Sequence, residues 1–246
     1  MNSAKNSKDS RQRKAKKPPF YNFCYDFVKI TGAIPVMLWL RPRIYRPYGT
    51  KTPRGGVMVS ANHRSLLDPV IIHTAFPSRR MHSLATKDLF NTPLKSNFFN
   101  QMHCIMVDKE NFTLSAFHQV VSRLNDGKMV VIFPEGGLNT DENQAISTFK
   151  SGAVLMAHKA KASILPVYIV PREKWYHRQR IVIGATFNVC DEVGAMPTLA
   201  QLNEASETLR QRELALREYF EALPVYKRIN KKSKASESEK TNEQKV

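Results

Sequence analysis

The stretch VMVSANHRSLLDP, residues 57–69, decides the fold because it joins a strand pattern directly to the start of a helix. Its first residues, Val57–Ser60, predict a buried strand. Ser65 and Asp68 have the spacing of a capping box, and Pro69 is tolerated only in the first turn of a helix. We therefore predict a helix over Leu66–Ala75, with the residues between the two elements forming a turn.

That turn is what would bring His63 and Asp68 together. Side chains five residues apart point about 140° apart on a continuous helix, and they lie on opposite faces of a strand about 16 Å apart. With His63 in the turn and Asp68 in the first helical turn, the carboxylate can bind one imidazole nitrogen and fix the tautomer. The other nitrogen is then left as a base, so this pair is the predicted catalytic site.

His103 and Asp108 have the same spacing and serve as an internal comparison. The residues between them, from Cys104 to Val107, predict a buried strand that would send the two side chains to opposite faces. Spacing alone is therefore not diagnostic, and only the turn context favours the pair at His63. For His63 taken by itself, a structural role at a helix start is the alternative.

Strand-like and helix-length segments alternate along the chain from residue 57 onwards. The predicted strands are Val57–Ser60, His82–Thr86, Cys104–Val107, Met129–Phe133, Ile164–Val170 and Arg180–Phe187. The predicted helices are Leu66–Ala75, Leu94–Met102, Leu114–Leu124, Phe149–Ala160 and a final amphipathic helix, Thr198–Phe220. This alternation predicts an α/β fold with a mostly parallel sheet flanked by helices, and functional residues at the carboxyl ends of the strands.

A second candidate motif follows the strand predicted to end at Phe133. The motif is Phe133-Pro134-Glu135-Gly136-Gly137, a lone carboxylate between a proline and two glycines. Glycines let the backbone approach a ligand closely and can point amide groups at an anion. A simple turn without a binding role is the alternative for this motif alone. Like His63, it falls at the carboxyl end of a predicted strand.

The positive charge of the chain is concentrated at its two ends. Of the formal net charge of +17, residues 1–19 supply +6 and residues 225–246 supply +4. Both ends are polar and poor in large apolar groups, so we predict disordered basic tails at 1–19 and 225–246. A chain of 246 residues that is 42% hydrophobic can bury one core. We therefore predict one α/β domain over 49–224, preceded by a membrane-interfacial helical segment over 20–48.

The interfacial prediction rests on an apolar stretch, Phe27 to Leu40, that is followed by basic residues. The stretch is shorter than the roughly 20 residues that span a bilayer, and it lacks a signal-peptide cleavage site. It therefore predicts helices lying in the membrane interface, with an ordinary core helix as the alternative. The apolar set is Phe27, Ile30, Ile34, Met37, Leu38 and Trp39, and the predicted basic collar is Arg41, Arg43, Arg46, Lys51 and Arg54.

The three cysteines, Cys24, Cys104 and Cys190, are far apart and lack C-x-x-C spacing. We therefore predict a reducing, cytoplasmic environment without disulfides. No cluster of His, Cys, Asp and Glu has metal-ligand spacing in the sequence, so no metal is expected.

Taken in order, several segments resemble the four sequence blocks of the 1-acyl-sn-glycerol-3-phosphate acyltransferase family. The similarity covers roughly residues 25–190. The matching segments are Asn62-His63-x4-Asp68 (an HxxxxD motif), Cys104 to Lys109, Phe133-Pro134-Glu135-Gly136, Phe149-Lys150-Ser151-Gly152-Ala153 and Leu165-Pro166-Val167.

This resemblance implies an α/β enzyme lying on the cytoplasmic face of the cell membrane through its N-terminal helices, as a peripheral or monotopic protein. His63 would be the base and Asp68 its orienting partner. The implied reaction transfers an acyl chain to the sn-2 hydroxyl of 1-acylglycerol 3-phosphate and makes phosphatidate for phospholipid biosynthesis. Acyl-CoA or acyl carrier protein would be a co-substrate, with no bound cofactor. The predicted substrate-binding residues are Asn62, Lys109, Phe133, Pro134, Glu135, Gly136, Gly137 and Lys150.

Two blocks depart from the usual family pattern. The second usually begins with glycine and ends with arginine, where this chain has His103 and Lys109. The third usually continues with threonine and arginine, where this chain has Gly137 and Leu138. The arginines are associated with the acceptor phosphate, and lysine does not reproduce their bidentate fork. Lys109 and Lys150 are the predicted substitutes, with solvated surface lysines as the alternative.

Three classes of function are compatible with these features. The first is acyl transfer, to lysophosphatidate or to another, non-phosphorylated lysolipid. The second is a non-catalytic basic protein that binds membrane or nucleic acid, although charge concentrated in the tails argues against specific nucleic-acid recognition. The third is a hydrolase using the same His and Asp on water. The predicted partners are an anionic membrane surface, a lysophospholipid and an acyl thioester donor, for which acidic acyl carrier protein is one candidate. No specific nucleic acid is expected.

Overall fold

A computed structural model describes residues 21–108, 114–141, 144–172, 174 and 176–226 of the protein. They form an eight-stranded, mostly parallel sheet flanked by helices, which confirms the predicted fold class. The two predicted basic tails lie outside the described residues, apart from residues 225 and 226.

The strands are β1 (Arg43–Tyr45), β2 (Val57–Ala61), β3 (Met81–Thr86), β4 (Ile105–Val107), β5 (Met129–Ile132), β6 (Ser163–Val170), β7 (Arg180–Ile183) and β8 (Phe187–Asn188). Their order across the sheet is β1-β7-β6-β2-β5-β3-β4, and β8 also pairs with β6. Only the pairings of β6 with β7 and with β8 are antiparallel. The strands that precede the two motifs, β2 and β5, are thus parallel neighbours, with Ser60 opposite Ile132.

The helices are α1 (Tyr21–Leu40), α2 (Asp68–Ala75), α3 (Pro93–Gln101), α4 (Leu114–Asn125), α5 (Gly152–Ala160), α6 (Val189–Glu192) and α7 (Leu199–Ala222). The start predicted for α5 at Phe149 is three residues early, because the Lys150 N–H donates to the Pro134 carbonyl instead of entering a helix. The strand predicted over Arg180–Phe187 is divided at Gly184, whose N–H bonds the Pro166 carbonyl.

Alternate residues of the central strands face two separate cores, as the pleat of a sheet requires. On one side, Val57 and Val59 pack with α2 and with Leu40 at the end of α1. On the other side, Met58 and Val130 pack with α4, α5 and α7. All five residues of β2 are buried, so the turn that follows it extends from the most enclosed part of the sheet.

Segment 20–48 is only partly the helical segment that the sequence predicts. Its residues Arg43–Tyr45 form β1, which extends the sheet by parallel pairing with β7. The correction has a simple cause: β7 would otherwise be an open edge, and pairing satisfies its backbone groups.

Helix α1 lies on the α2 side of the sheet and exposes a row of apolar side chains. Tyr25 and Leu40 pack against the protein, at 3% and 1% exposure. The outward row, called the α1 stripe below, follows one helical face from Phe23 to Met37, where it recurs every three or four residues, and widens at the end of the helix to include Leu38 and Trp39. Among the described residues, no helix is long and apolar enough to span a bilayer. The stripe consists of Phe23, Phe27, Ile30, Ile34, Met37, Leu38 and Trp39, each at least 37% exposed.

Candidate active site

The side chains of His63 and Asp68 form a hydrogen-bonded pair. His63 Nδ1 lies 3.0 Å from Asp68 Oδ2. Because β2 ends at Ala61 and α2 begins at Asp68, both lie around the turn that the sequence places between strand and helix. The Asp68 side chain is only 4% exposed, whereas that of His63 is 16% exposed. With Nδ1 bonded to the carboxylate, Nε2 is the nitrogen that can accept a proton from a substrate.

The Asp68 carboxylate also organises the turn itself. Its Oδ2 accepts the backbone N–H groups of Arg64 and Ser65, each at 2.7 Å. Ser65 is not the N-cap of α2, as its place in the capping-box pattern suggested; Leu67 is, and its N–H donates to Ser65 Oγ at 3.2 Å. The helix therefore begins at Asp68, later than predicted, and the Asp68 carboxylate binds the N–H groups of residues that precede the helix.

Glu135 joins the second motif to the first. One of its oxygens accepts the His63 backbone N–H at 2.8 Å. The other accepts the backbone N–H of Ser147 at 2.9 Å and also the Ser147 hydroxyl. Glu135, predicted to bind substrate, thus lies beside the His63–Asp68 pair, and both of its oxygens accept hydrogen bonds from the protein. Its contacts clamp the His63 turn to the segment that leads into α5.

The ring of Phe133 stacks on the face of the His63 imidazole and helps to orient it. The two rings are nearly parallel, at 19°, with centroids 4.1 Å apart. On the backbone side, the His63 carbonyl accepts the Asn139 N–H at 2.7 Å. The imidazole is therefore held by stacking, by Asp68 and by its own main chain, which is the preorganisation that a general base requires.

Asn62 holds the site in place through its side-chain amide. The side chain is buried, and its amide exchanges two bonds with Ile169 on β6: Nδ2 donates to the carbonyl at 3.1 Å, and Oδ1 accepts the N–H at 2.7 Å. The structure therefore gives Asn62 a positioning role, and the substrate contact predicted for it stays a prediction. Both polar atoms of the amide are used in continuing the β2–β6 pairing beyond the strand.

Gly136 and Lys150 meet at the second motif. Gly136 has a φ of +76°, and a Cβ there would lie 2.7 Å from Lys150 Cε and 2.8 Å from Nζ. The positive φ favours glycine here, and a larger residue would also displace the end of the Lys150 side chain. Lys150 is exposed, and its ammonium group lies over the turn. At Gly137, by contrast, an added Cβ would meet open space. The other predicted phosphate contact, Lys109, lies outside the described residues.

The comparison pair takes different contacts. His103 is buried and stacks on Tyr25, with ring centroids 4.4 Å apart, and on His82 at 5.0 Å. Asp108 lies 3.9 Å from Lys87 Nζ. Strand β4 lies between the two residues, so His103 and Asp108 contact different groups, as the strand pattern predicts.

A buried carboxyl group on α7 is the main feature of the site that sequence analysis missed. Ser60, on β2, donates to Glu213 Oε1 at 2.6 Å, and Glu213 is 0% exposed. Burial raises the pKa of Glu213 well above its ordinary value, and the negative charge of Glu135 acts in the same direction, against the Ser60 hydrogen bond. The helical spacing of Glu213 from Leu209 and Leu216 places it on the apolar stripe of α7, a signal that could have revealed it.

Arg172 was also missed. With Arg64 it lines a cavity of about 280 Å³ next to Asp68, where its guanidinium lies 4.7 Å from the Trp39 ring centroid. This cavity places two cationic side chains beside the catalytic pair.

The fold and site together define a class: an α/β protein with a hydrogen-bonded histidine and aspartate at the carboxyl edge of a mostly parallel sheet. The Acyltransferase family model matches residues 45–170, just over half of the chain. The protein belongs to this family and is an O-acyltransferase, which confirms the resemblance seen in the sequence.

Individual proteins similar to this chain are also acyltransferases by name. Over 199 residues the chain is 27% identical to the 1-acyl-sn-glycerol-3-phosphate acyltransferase of Bacillus subtilis, covering 78% of this chain and 94% of the relative. The enzyme of the same name from Borreliella burgdorferi is 25% identical over 182 residues, covering 72% and 71%. The fold is similar to the crystal structure of the LPA acyltransferase PlsC from Thermotoga maritima, with a TM-score of 0.59, 18% identity and 82% of each chain covered.

Replacing His63 with alanine should lower acyl transfer at least about a hundredfold, because a positioned base contributes that much or more. Steady-state kinetics with circular dichroism as a check of folding would measure the effect. His118→Ala, at an exposed histidine of α4, is the matched control and should retain activity. Similar losses in both folded variants would contradict the assignment of His63 as the base.

Replacing Glu213 with glutamine should stabilise the protein increasingly as pH rises above 4.5, the ordinary pKa of this group. The folded state keeps the proton that the unfolded state releases, so the native protein loses up to about 1.4 kcal/mol per pH unit until the folded pKa is reached. Urea unfolding between about pH 5 and pH 8 would measure this difference. Glu218→Gln, exposed on the same helix, should show no such trend. A pH-independent difference for Glu213→Gln would show that the carboxyl is ionised when folded.

Proposed function

We propose that the enzyme transfers an acyl chain from a thioester to the sn-2 hydroxyl of 1-acylglycerol 3-phosphate, making phosphatidate for phospholipid biosynthesis. The observation that carries this proposal is the His63 Nδ1–Asp68 Oδ2 bond, which leaves Nε2 as a base at the carboxyl edge of the sheet. The names of the two bacterial relatives support the choice of acceptor.

The proposed reaction is direct. His63 Nε2 removes the hydroxyl proton as the acceptor oxygen attacks the thioester carbonyl, and the carbon–sulfur bond then breaks. The imidazolium returns its proton to the departing thiolate. Asp68 stabilises the imidazolium while it exists, and Phe133 and Glu135 keep the ring and its main chain in position. Acyl-CoA and acyl carrier protein are the proposed donors, each used as a co-substrate.

We propose Lys150 as a contact for the acceptor phosphate. Its exposed ammonium lies over the Gly136 backbone, and Glu135 of the same turn holds the His63 main chain. A phosphate bound there would therefore be close to the base. Lys109 stays a sequence prediction for the same role.

Lys150→Met should lower kcat/KM for lysophosphatidate about 10- to 150-fold, the value of one charge-assisted contact, and should hardly change it for monoacylglycerol. Both acceptors would be assayed with the same thioester, and thiol release without acceptor would measure hydrolysis. Lys159→Met, an exposed lysine on α5, is the matched control.

Equal losses of Lys150→Met on both acceptors would show that this lysine is structural. A wild-type enzyme that prefers monoacylglycerol would contradict the proposed acceptor, and thiol release that needs no acceptor would indicate a hydrolase.

We further propose that the enzyme associates peripherally with the cytoplasmic face of the membrane through the α1 stripe. All six apolar residues predicted for this role are exposed. The predicted basic collar is partly engaged within the protein: Arg46 donates to the Thr50 carbonyl and Arg41 to that of Tyr176. The free thiols of Cys104 and Cys190 are compatible with a reducing compartment.

The double variant Phe27→Ser, Leu38→Ser should bind phospholipid vesicles at least about tenfold more weakly, because two apolar side chains no longer enter the bilayer. Vesicle sedimentation would measure the partition coefficient. The control variant is Met196→Ser, Leu199→Ser, at positions 94% and 68% exposed away from α1. If both variants sediment like the parent, the stripe does not bind the membrane.

A further inference from the structure

A second, larger cavity lies at the opposite edge of the sheet from the catalytic pair. Its volume is about 740 Å³, within the range of ligand sites. The middle of α1, the loop between α2 and β3, and the turn before β5 form its walls. Lys128 lies in that turn, directly before Met129, which pairs with Val57 at the start of β2. His63 instead follows the end of β2. At about 3.3 Å per residue, the two sites are roughly 20 Å apart.

This cavity, called the cationic cavity below, carries an excess of positive charge. The charge of Arg80 is neutralised by a bidentate ion pair with Asp26, in which Nε lies 2.9 Å from Oδ1 and Nη2 lies 2.5 Å from Oδ2. Lys29 Nζ donates to the Arg79 carbonyl at 2.7 Å, which is a neutral partner. Lys128 is exposed at the rim. The cavity is thus lined by four cations and one carboxylate: Lys29, Arg79, Arg80, Lys128 and Asp26.

The Arg79 guanidinium is a fixed positive charge in the wall. It donates to the carbonyls of Pro53 and Gly55 at 2.6 Å and to that of Gly127 at 3.3 Å. These partners orient the group without cancelling its charge. Burial lowers the pKa of both Arg79 and Lys29, so these cations are partly desolvated. An anion in the cavity would offset that desolvation.

The same cavity has an apolar wall. Ile30 and Ile34 line it, and both belong to the α1 stripe, at 64% and 58% exposure. A ligand that matches this wall carries an anionic group beside hydrocarbon. A free phosphate or a nucleotide would use the cations and leave the isoleucines in water. A phospholipid uses both, since its headgroup and acyl chains meet at the depth where an interfacial helix lies.

We propose that the cationic cavity binds the headgroup of an anionic membrane phospholipid, separately from the acceptor at His63, with the acyl chains along Ile30 and Ile34. The proposal rests on the membrane association proposed for the α1 stripe. Its consequence is selectivity: the stripe brings the enzyme to any bilayer, and the cavity holds it where anionic lipid is present.

The test compares the full-length protein with the double variant Lys29→Met, Lys128→Met. Sedimentation would use phosphatidylcholine vesicles with and without phosphatidylglycerol. The variant should lose about 25-fold in binding to the anionic vesicles, because each of the two lysines near such a surface contributes about fivefold, and it should bind the neutral vesicles like the parent. The control is Lys159→Met, Lys161→Met, which removes two exposed lysines around the end of α5, on the other side of the sheet.

A second measurement separates a discrete site from general surface charge. Short-chain phosphatidylglycerol, kept monomeric in solution, should quench or shift a fluorophore attached near α1 in the parent and in the α5 control, but not in the Lys29 and Lys128 variant. Equal anionic preference in all three proteins would overturn the proposal, as would displacement of the lipid by inorganic phosphate alone. Absence of parent binding to every vesicle would instead overturn the membrane association on which it rests.

Discussion

One oxygen atom, Oδ2 of Asp68, accepts three hydrogen bonds on which the geometry of the site depends. The donors are His63 Nδ1 and the main-chain N–H groups of Arg64 and Ser65, at 2.7 to 3.0 Å. The same carboxylate therefore shapes the turn and orients the base within it. Because Asp68 is the first residue of α2 and is almost wholly buried, the strand, the turn and the helix are set by one side chain.

Two further carboxyl groups extend this arrangement in different ways. Glu135 uses both oxygens to tie the His63 turn to Ser147, so it connects the ends of neighbouring strands. Glu213 is enclosed between α7 and β2, and its second oxygen has no hydrogen-bond partner among the described residues. Burial in such surroundings raises the pKa of this carboxyl, because it disfavours the charged form. Three acidic residues within one region thus have three roles, because solvent access and donors differ at each.

The charges and apolar groups of the surface are distributed over two edges of one sheet. The His63–Asp68 pair lies at the carboxyl ends of the strands, and the cationic cavity lies at their amino ends, beside the middle of α1. Helix α1 is common to both regions: its Trp39 lies against Arg172 near Asp68, and its Ile30 and Ile34 line the cavity. An enzyme that acts on lipids would gain from a single helix that contacts the bilayer along this length, since docking and substrate entry then occur in one orientation.

The sequence by itself determined the fold class, most element positions and the contact between His63 and Asp68, because these depend on local patterns. Period-2 and apolar runs mark the strands, and Pro69 is compatible with a helix only if that helix starts beside Asp68. Whether Asn62 touches a substrate or β6, and whether Glu135 is free or clamped, depends on neighbours more than 70 residues away in the chain. The Ser60–Glu213 contact spans 153 residues, and the cationic cavity gathers residues from α1, the loop after α2 and the turn before β5. Only the tertiary structure decided these features, since long-range packing sets which polar groups are buried, paired or left facing a cavity.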